Sequence, residues 1–303
     1  MFPDVAIFAP AYVFIDGRLS AFVDQQQASV TAVVSGPLRA ALVLYIVLYG
    51  FAILRGAISE PVIDFAIRAM KLIFIYALAT TSAYGDFVTT PIFQTLPNEL
   101  AQAVGGPSAA TVGDAFDELV NKAGHLATRA AEKGTIFDPG PWVVAAVVFV
   151  VGALTSALGF GVVMVAKIAL ALLVAIGPIF IACALFDASR RFFFGWLSQG
   201  VNYLTLFALV LTLVQLVLDL FRSQWSSIGA LDPLGAGLVF VALCILAGFF
   251  FLQMPVLAAG VAGGASAGLA DFGRAVGSLG HGSQRDSAVR SAPRPTTAGA
   301  GAR

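Results

Sequence analysis

The sequence predicts an all-α, polytopic helical membrane protein with five to six transmembrane helices, an amphipathic N-terminal segment and a helical central loop. Three observations carry this. Of the 303 residues, 59% are hydrophobic and only 11% are charged, where a soluble globular domain carries about 25% charged residues. Several runs reach the roughly 20 apolar residues that an α-helix needs to cross a bilayer. Those runs are continuous rather than alternating, which argues against a transmembrane β-barrel.

Residues 1–36 mix apolar and polar side chains (Phe14, Leu19, Phe22 and Val23 among Asp16, Arg18, Asp24 and Gln25-Gln26-Gln27). They are expected to lie as an amphipathic segment at the membrane surface. Without a basic stretch ahead of Val5–Phe14, no cleavable signal peptide is expected, and the first span should act as the targeting signal. Residues 37–84 hold two spans, the first ending at Leu54-Arg55-Gly56. Ser59 and Pro61 suit the start of the second, on which Asp64 and Arg68 lie four apart and can pair. Residues 85–140 form the one sizeable polar loop. Inside it, 111–133 has helical periodicity, with Phe116, Leu119, Val120, Ala123 and Ala127 on one face. Residues 141–254 form the transmembrane bundle, with later spans at 195–220 and 234–252. Residues 255–303 are a tail rich in Gly and Ala and then in Arg and Pro, expected to end in disorder.

The stretch 142–186 is apolar over about 45 residues, broken only by Lys167. That is too long for one crossing and short for two. Two topologies follow, with Gly152, Gly159 and Gly161 as candidate bend points. In one, residues 142–164 form a re-entrant or interfacial hairpin and the chain crosses five times, N-terminus periplasmic and tail cytosolic. Arg55, Arg68, Lys71, Arg190, Arg191 and the tail arginines are then inside, as the positive-inside rule prefers. In the other, 142–186 crosses twice, both termini are inside, and the cluster Arg55, Arg68 and Lys71 is exported.

Several features are candidates for function, each with a plainer alternative. Gly177-Pro178 interrupts a span, since proline removes a backbone donor; it is a candidate hinge, or a static kink. Arg190, Arg191 and Trp196 follow as a topology anchor and aromatic belt. Lys167 is a membrane-embedded charge, costly at a helix centre by about 2.5–3.5 kcal/mol on insertion scales. It faces a lumen or an interface, or it snorkels to the surface. Gly260, Gly264 and Gly268 recur every four residues as a candidate helix-packing strip; the alternative is a flexible linker. The apolar face of the loop helix, with Phe116, Leu119 and Val120, is a candidate docking surface for a partner, or it packs on its own loop.

No HExxH, GxxxxGK[ST] or GxSxG motif and no Cys/His cluster occurs in the sequence, so neither catalysis nor a cofactor or metal is expected. Cys183 and Cys244 lie in apolar runs and are expected to behave as small hydrophobes.

Three stretches together resemble a known family. They are Leu44–Gly56 with Glu60-Pro61, Arg68 and Lys71; the block of Lys167, Gly177-Pro178-Ile179-Phe180, Phe186, Arg190-Arg191 and Trp196; and Pro255–Gly264. In order and spacing they are similar to the TrbL-type inner-membrane subunit of bacterial type IV secretion and conjugation machines. The resemblance implies a periplasmic N-terminus, a central periplasmic loop and a cytosolic C-terminus, which favours five crossings. It implies a channel or assembly platform that takes part in translocating protein or DNA–protein substrates and in pilus or stalk assembly. It also implies assembly as a homo-oligomer with pilus or stalk subunits, inner-membrane and core-complex components and separate ATPases. The alternatives are a small-solute transporter, against which the lack of a visible internal repeat counts, and a purely structural membrane scaffold.

Overall fold

A computed structural model describes residues 6–56, 62–105, 112–186, 188–230 and 232–279. Among them the only β-type pairing is an isolated bridge between Thr135 and Asp138; the rest is helix and short turns. The helices are α1 (Phe8–Leu54), α2 (Val62–Thr80), a π-helical stretch (Gly85–Thr95), α3 (Leu96–Gly105), α4 (Val112–Ala131), α5 (Gly140–Ala175), α6 (Gly177–Cys183), α7 (Arg190–Ala230) and α8 (Pro233–Leu279). Four of them are long and apolar enough to cross a membrane: α1, α5, α7 and α8. Phe65–Thr80 with Gly85–Ala103, bent by 60°, makes a fifth if the pair counts as one span.

From Phe8 on, the N-terminal segment is not separate from the first span. α1 runs unbroken for 47 residues with Pro37 inside it, about 70 Å at 1.5 Å per residue. Neighbouring packing lets long membrane-type helices tolerate such a proline. The first two turns of α1 and the rest of it serve different layers. Tyr12 belongs to a core built chiefly from α4, α5, α7 and α8. Val23 and Leu38 belong to a second core with Ile75, Tyr84, Phe93, Val174, Ile181 and Trp196.

Residues 142–164 form neither a hairpin nor a separate crossing. α5 is a single helix of 36 residues. Two of its expected bend points are packing points instead. A Cβ on Gly152 would overlap Ala123 and crowd Phe240, and one on Gly159 would overlap the rings of Phe116 and Phe251. The missing side chains let α4 and α8 approach the α5 backbone, the use of small residues usual between membrane helices. Gly161 faces open space.

The real interruption comes after α5. Ile176 (φ −94°, ψ 0°) ends that helix, and α6 starts at Gly177-Pro178. A second corner, between α2 and the π-helical stretch, packs into the same place. Its buried Tyr84 donates a hydrogen bond from the hydroxyl to the Val174 carbonyl, 2.5 Å. Pro91 lies within the π-helical stretch, and its carbonyl accepts the Leu96 N–H, the wider i→i+5 closure of a π-bulge.

Candidate functional site: the buried charge cluster and the central helix

Lys167 is the most buried charge among the described residues, 2% exposed. It neither snorkels nor faces an open lumen. Its ammonium lies 2.6 Å from Oδ1 of Asp16 and donates to the hydroxyl of Tyr12 at 2.7 Å. The Tyr12 ring centroid is 4.5 Å from Nζ and that of Phe93 is 5.8 Å away. Tyr12 and Asp16 are four apart on α1 and so share a face. The cluster thus joins α1, α5 and the π-helical stretch. Three turns further along α1 Thr89 donates to Gln27 Oε1 at 2.7 Å, a second polar tie between the π-helical stretch and α1. A charge withdrawn from water is tolerated when an opposite charge and hydrogen bonds replace the solvent, and here a carboxylate, a hydroxyl and two ring faces do so.

The central helix α4 has the amphipathic pattern expected of it, but its apolar face is covered. Phe116, Leu119 and Val120 are 0%, 2% and 5% exposed, so they are core residues and not an open docking surface. α4 lies antiparallel to α5. Phe116 meets Phe160 edge-on at 5.8 Å, Ala123 lies against Gly152, and the Ala131 carbonyl accepts from Trp142 Nε1 at 3.2 Å. Phe8 completes the aromatic cluster, 4.9 Å from Phe160 and 6.2 Å from Phe116.

The start of α1 is held by α4. Asp117, 6% exposed, accepts three backbone N–H groups at 2.9 Å: Ile7 and Phe8 on Oδ1, Ala9 on Oδ2. These are among the four donors that every helix N-terminus leaves unpaired, and a carboxylate there also complements the helix dipole. α1 has no side-chain cap of its own; the cap arrives from about 110 residues away. Gly113 permits the approach, since a Cβ there would overlap the backbone of Phe8 and Ala9. Along its polar side α4 pairs with α7. Arg222 forks onto Glu118 at 2.8 and 3.3 Å and reaches Asp219 at 3.3 Å. Lys122 lies 3.4 Å from Glu118, and beyond α4 Lys133 pairs with Asp232 at 2.9 Å.

The remaining predicted residues fall in the second core or at the edges. Gly177 sits so close to the Tyr84 hydroxyl that a Cβ would overlap it, and Pro178 is buried. Trp196 is an internal brace and not part of a lipid-facing belt. It is 5% exposed, donates from Nε1 to the Leu173 carbonyl at 2.8 Å and stacks on Phe180 at 6.3 Å. Arg190 begins α7, and the Arg191 guanidinium lies 5.0 Å from the centroid of Phe192. Gly260 faces open space on α8, with none of the described residues against it; the surroundings of Gly264 and Gly268 lie outside the described residues, as do Asp187 and the Asp64 side chain. Asp16, Tyr12 and Asp117 escaped the sequence reading, because their partners lie on distant segments.

Comparison with known proteins places this arrangement. A family model described as TrbL/VirB6 plasmid conjugal transfer protein matches residues 42–254. The type IV secretion system protein VirB6 of Bartonella quintana is 27% identical over 248 residues, covering 78% of this chain and 74% of the relative. Protein VirB6 of Agrobacterium fabrum is 28% identical over 222 residues, 69% of this chain and 72% of the relative. The matched region runs from the last quarter of α1 through the first half of α8 and includes Lys167, α4 and the α5–α6 break. The chain is a multi-pass membrane protein of the TrbL/VirB6 family, a component of type IV secretion and conjugation systems.

Proposed function

We propose that this protein is an inner-membrane channel or assembly-platform subunit of a type IV secretion system, acting in the translocation of protein or DNA–protein substrates and in pilus or stalk assembly. The observation that carries the reading is the family match, which runs from the end of α1 through all of α2–α7 into the first half of α8. It takes no part in catalysis; energy comes from separate ATPases. It assembles as a homo-oligomer and contacts pilus or stalk subunits, inner-membrane and core-complex components, membrane lipid and the passing substrate.

The N-terminus is periplasmic and the C-terminus cytosolic, with five crossings. The packing supports this orientation. The start of α5, the end of α7 and the start of α8 gather at one end of the bundle, where Lys133 meets Asp232. The other end holds the close of α1, where Tyr45 meets Phe186 at 6.2 Å, and leads to Arg190 and Arg191. The basic residues Arg55, Arg68, Lys71, Arg190 and Arg191 then face the cytosol together.

The test is deletion with complementation. Loss of the gene product should abolish substrate transfer, and the tagged protein should co-purify with the secretion ATPases and the core complex. A deletion that leaves transfer intact would sink the reading. Reporter fusions after Gly85, Pro139, Asp187, Arg222 and Ser283 check the orientation, and a cytosolic signal from residues 85–140 would overturn it.

A further inference from the structure

The hairpin of α1 and α2 holds a hollow that the described residues do not fill. It measures about 310 Å³ and runs between residues 42–53 of α1 and 65–73 of α2. Gly50 makes room for it, since a Cβ there would meet nothing within 4 Å. Ile46, Phe65 and Ile73 are 48–66% exposed, so the hollow is a groove open along its side.

The lining is graded. Toward Arg55 stand Tyr49, Phe65 and Arg68; toward the other end stand Leu42, Leu72 and Ile73. Tyr45 stacks on Tyr49 at 6.0 Å and Tyr49 on Phe65 at 6.3 Å, aromatic rings of the kind that settle at headgroup level. Arg68 is the one charged side chain among the described lining residues. Its guanidinium lies 4.9 Å from the Tyr49 ring centroid. Five N–H donors let it stack there, keep a protein partner and still turn an edge to a phosphate. Around it, Arg55 at the α1 C-cap and Lys71, under one turn from Arg68, are both exposed.

Length selects the occupant. Residues 42–53 rise about 17 Å at 1.5 Å each, about half of the roughly 30 Å hydrocarbon core. The groove stops where Leu38, Ile75 and Ala79 enter the second core. A helix of a neighbouring subunit would run on past that point, whereas an acyl chain of one leaflet would not. We propose that this groove binds one anionic phospholipid, its phosphate forked by Arg68 and an acyl chain laid along Ile46, Leu42, Leu72 and Ile73. Arg55 and Lys71 set the charge preference, because a zwitterionic headgroup would bring its own cation among three cations. Basic pockets between membrane helices recognise anionic headgroups in this way. The proposal rests on the reading of α1 and α2 as membrane spans with this basic end at a membrane face.

The experiment uses the full chain in phosphatidylcholine vesicles that carry a trace of either phosphatidylglycerol or phosphatidylcholine with a diazirine in one acyl chain. On irradiation, peptides covering residues 42–54 and 62–73 should take at least about fivefold more of the anionic probe than of the neutral one, the ratio that about 1 kcal/mol for one basic contact gives. Ile245 and Leu246 on the outer face of α8 should take both probes equally. Unlabelled phosphatidylglycerol should compete the groove adduct. Arg68→Gln should lower the ratio toward one. Gly50→Leu, which fills the groove and leaves the charges alone, should cut both groove adducts. Equal labelling of the unaltered chain by the two probes means annular lipid only and overturns the proposal, without any variant having to fold. A groove free of adduct, with Ile46→Cys forming a disulfide between copies in a Cys183→Ala/Cys244→Ala background, gives the site to a second copy and overturns it too. Labelling is read without substrate transfer: a groove that labels while deletion leaves transfer intact keeps the lipid site and loses the secretion role, and the opposite pair of results does the reverse.

Discussion

Two carboxylates at the start of the chain's fold carry unequal risk. Asp16 offsets the buried Lys167 ammonium, and Asp16→Ala leaves that charge with only Tyr12 and ring faces for company. Breaking a fully buried pair costs about 3–5 kcal/mol, and because Asp16 is one-third exposed we expect on the order of 1–3 kcal/mol here. The unfolding midpoint in detergent should fall accordingly, and a double Asp16→Leu/Lys167→Met variant should recover most of the loss. An unchanged midpoint for Asp16→Ala would show the pair to be energetically idle. Asp117→Ala removes the acceptor for three α1 donors. Loss of a cap costs about 0.5–2 kcal/mol. The expected sign is faster proteolytic nicking near residues 6–12, with the rest of the bundle resisting as before.

The elements of this bundle are set by where side chains are missing as much as by where they are present. Gly159 and Gly161 stand two residues apart on α5 and predict opposite outcomes. Gly159→Ala drives a methyl into the rings of Phe116 and Phe251 and should destabilise by about 1–3 kcal/mol, the usual cost of overpacking. Gly161→Ala meets nothing and should stabilise by about 0.5–1 kcal/mol through helix propensity. Thermal unfolding of the two variants side by side is the check, and equal shifts would refute the packing role of Gly159. Gly177 has the same character as Gly159: the α5–α6 break is filled by Tyr84 and Trp196, so this corner is packed as tightly as the core around it.

For the molecule as a whole, α4 is part of the core and not an appended loop. Replacing 112–131 by a flexible linker should strip Phe160 and Phe251 of the Phe116 ring and leave the start of α1 uncapped, so that no monodisperse protein accumulates. Exchanging only His125 and Arg129 for Ser should leave yield and elution unchanged. A linker variant that still folds would return α4 to the status of a dispensable loop. The helical class was legible in the sequence, because continuous apolar runs have one solution in a bilayer. The amphipathic period of 111–133 was legible too. Its destination was not, since an apolar helix face looks the same whether it meets a partner or folds back on its own chain. A boundary at 36/37 followed from the change of a mixed polar stretch into an apolar run, yet α1 passes through it. Lys167 announced itself by its cost, but its counter-charge lies on a helix about 150 residues earlier, where nothing local marks Asp16. Trp196 suited a lipid-facing belt by composition; only the Leu173 carbonyl and the Phe180 ring explain its burial.

The cap on α1 has a consequence for biosynthesis. Its carboxylate leaves the ribosome about 110 residues after the amides that it serves, roughly 6–20 s later at common elongation rates. Asp16 waits longer still for Lys167. The leading end of α1 is therefore fastened long after the helix itself is made. During that interval its first turns must be sheltered by the insertion machinery or left solvated, and a nascent chain stalled before residue 117 should leave them open to protease.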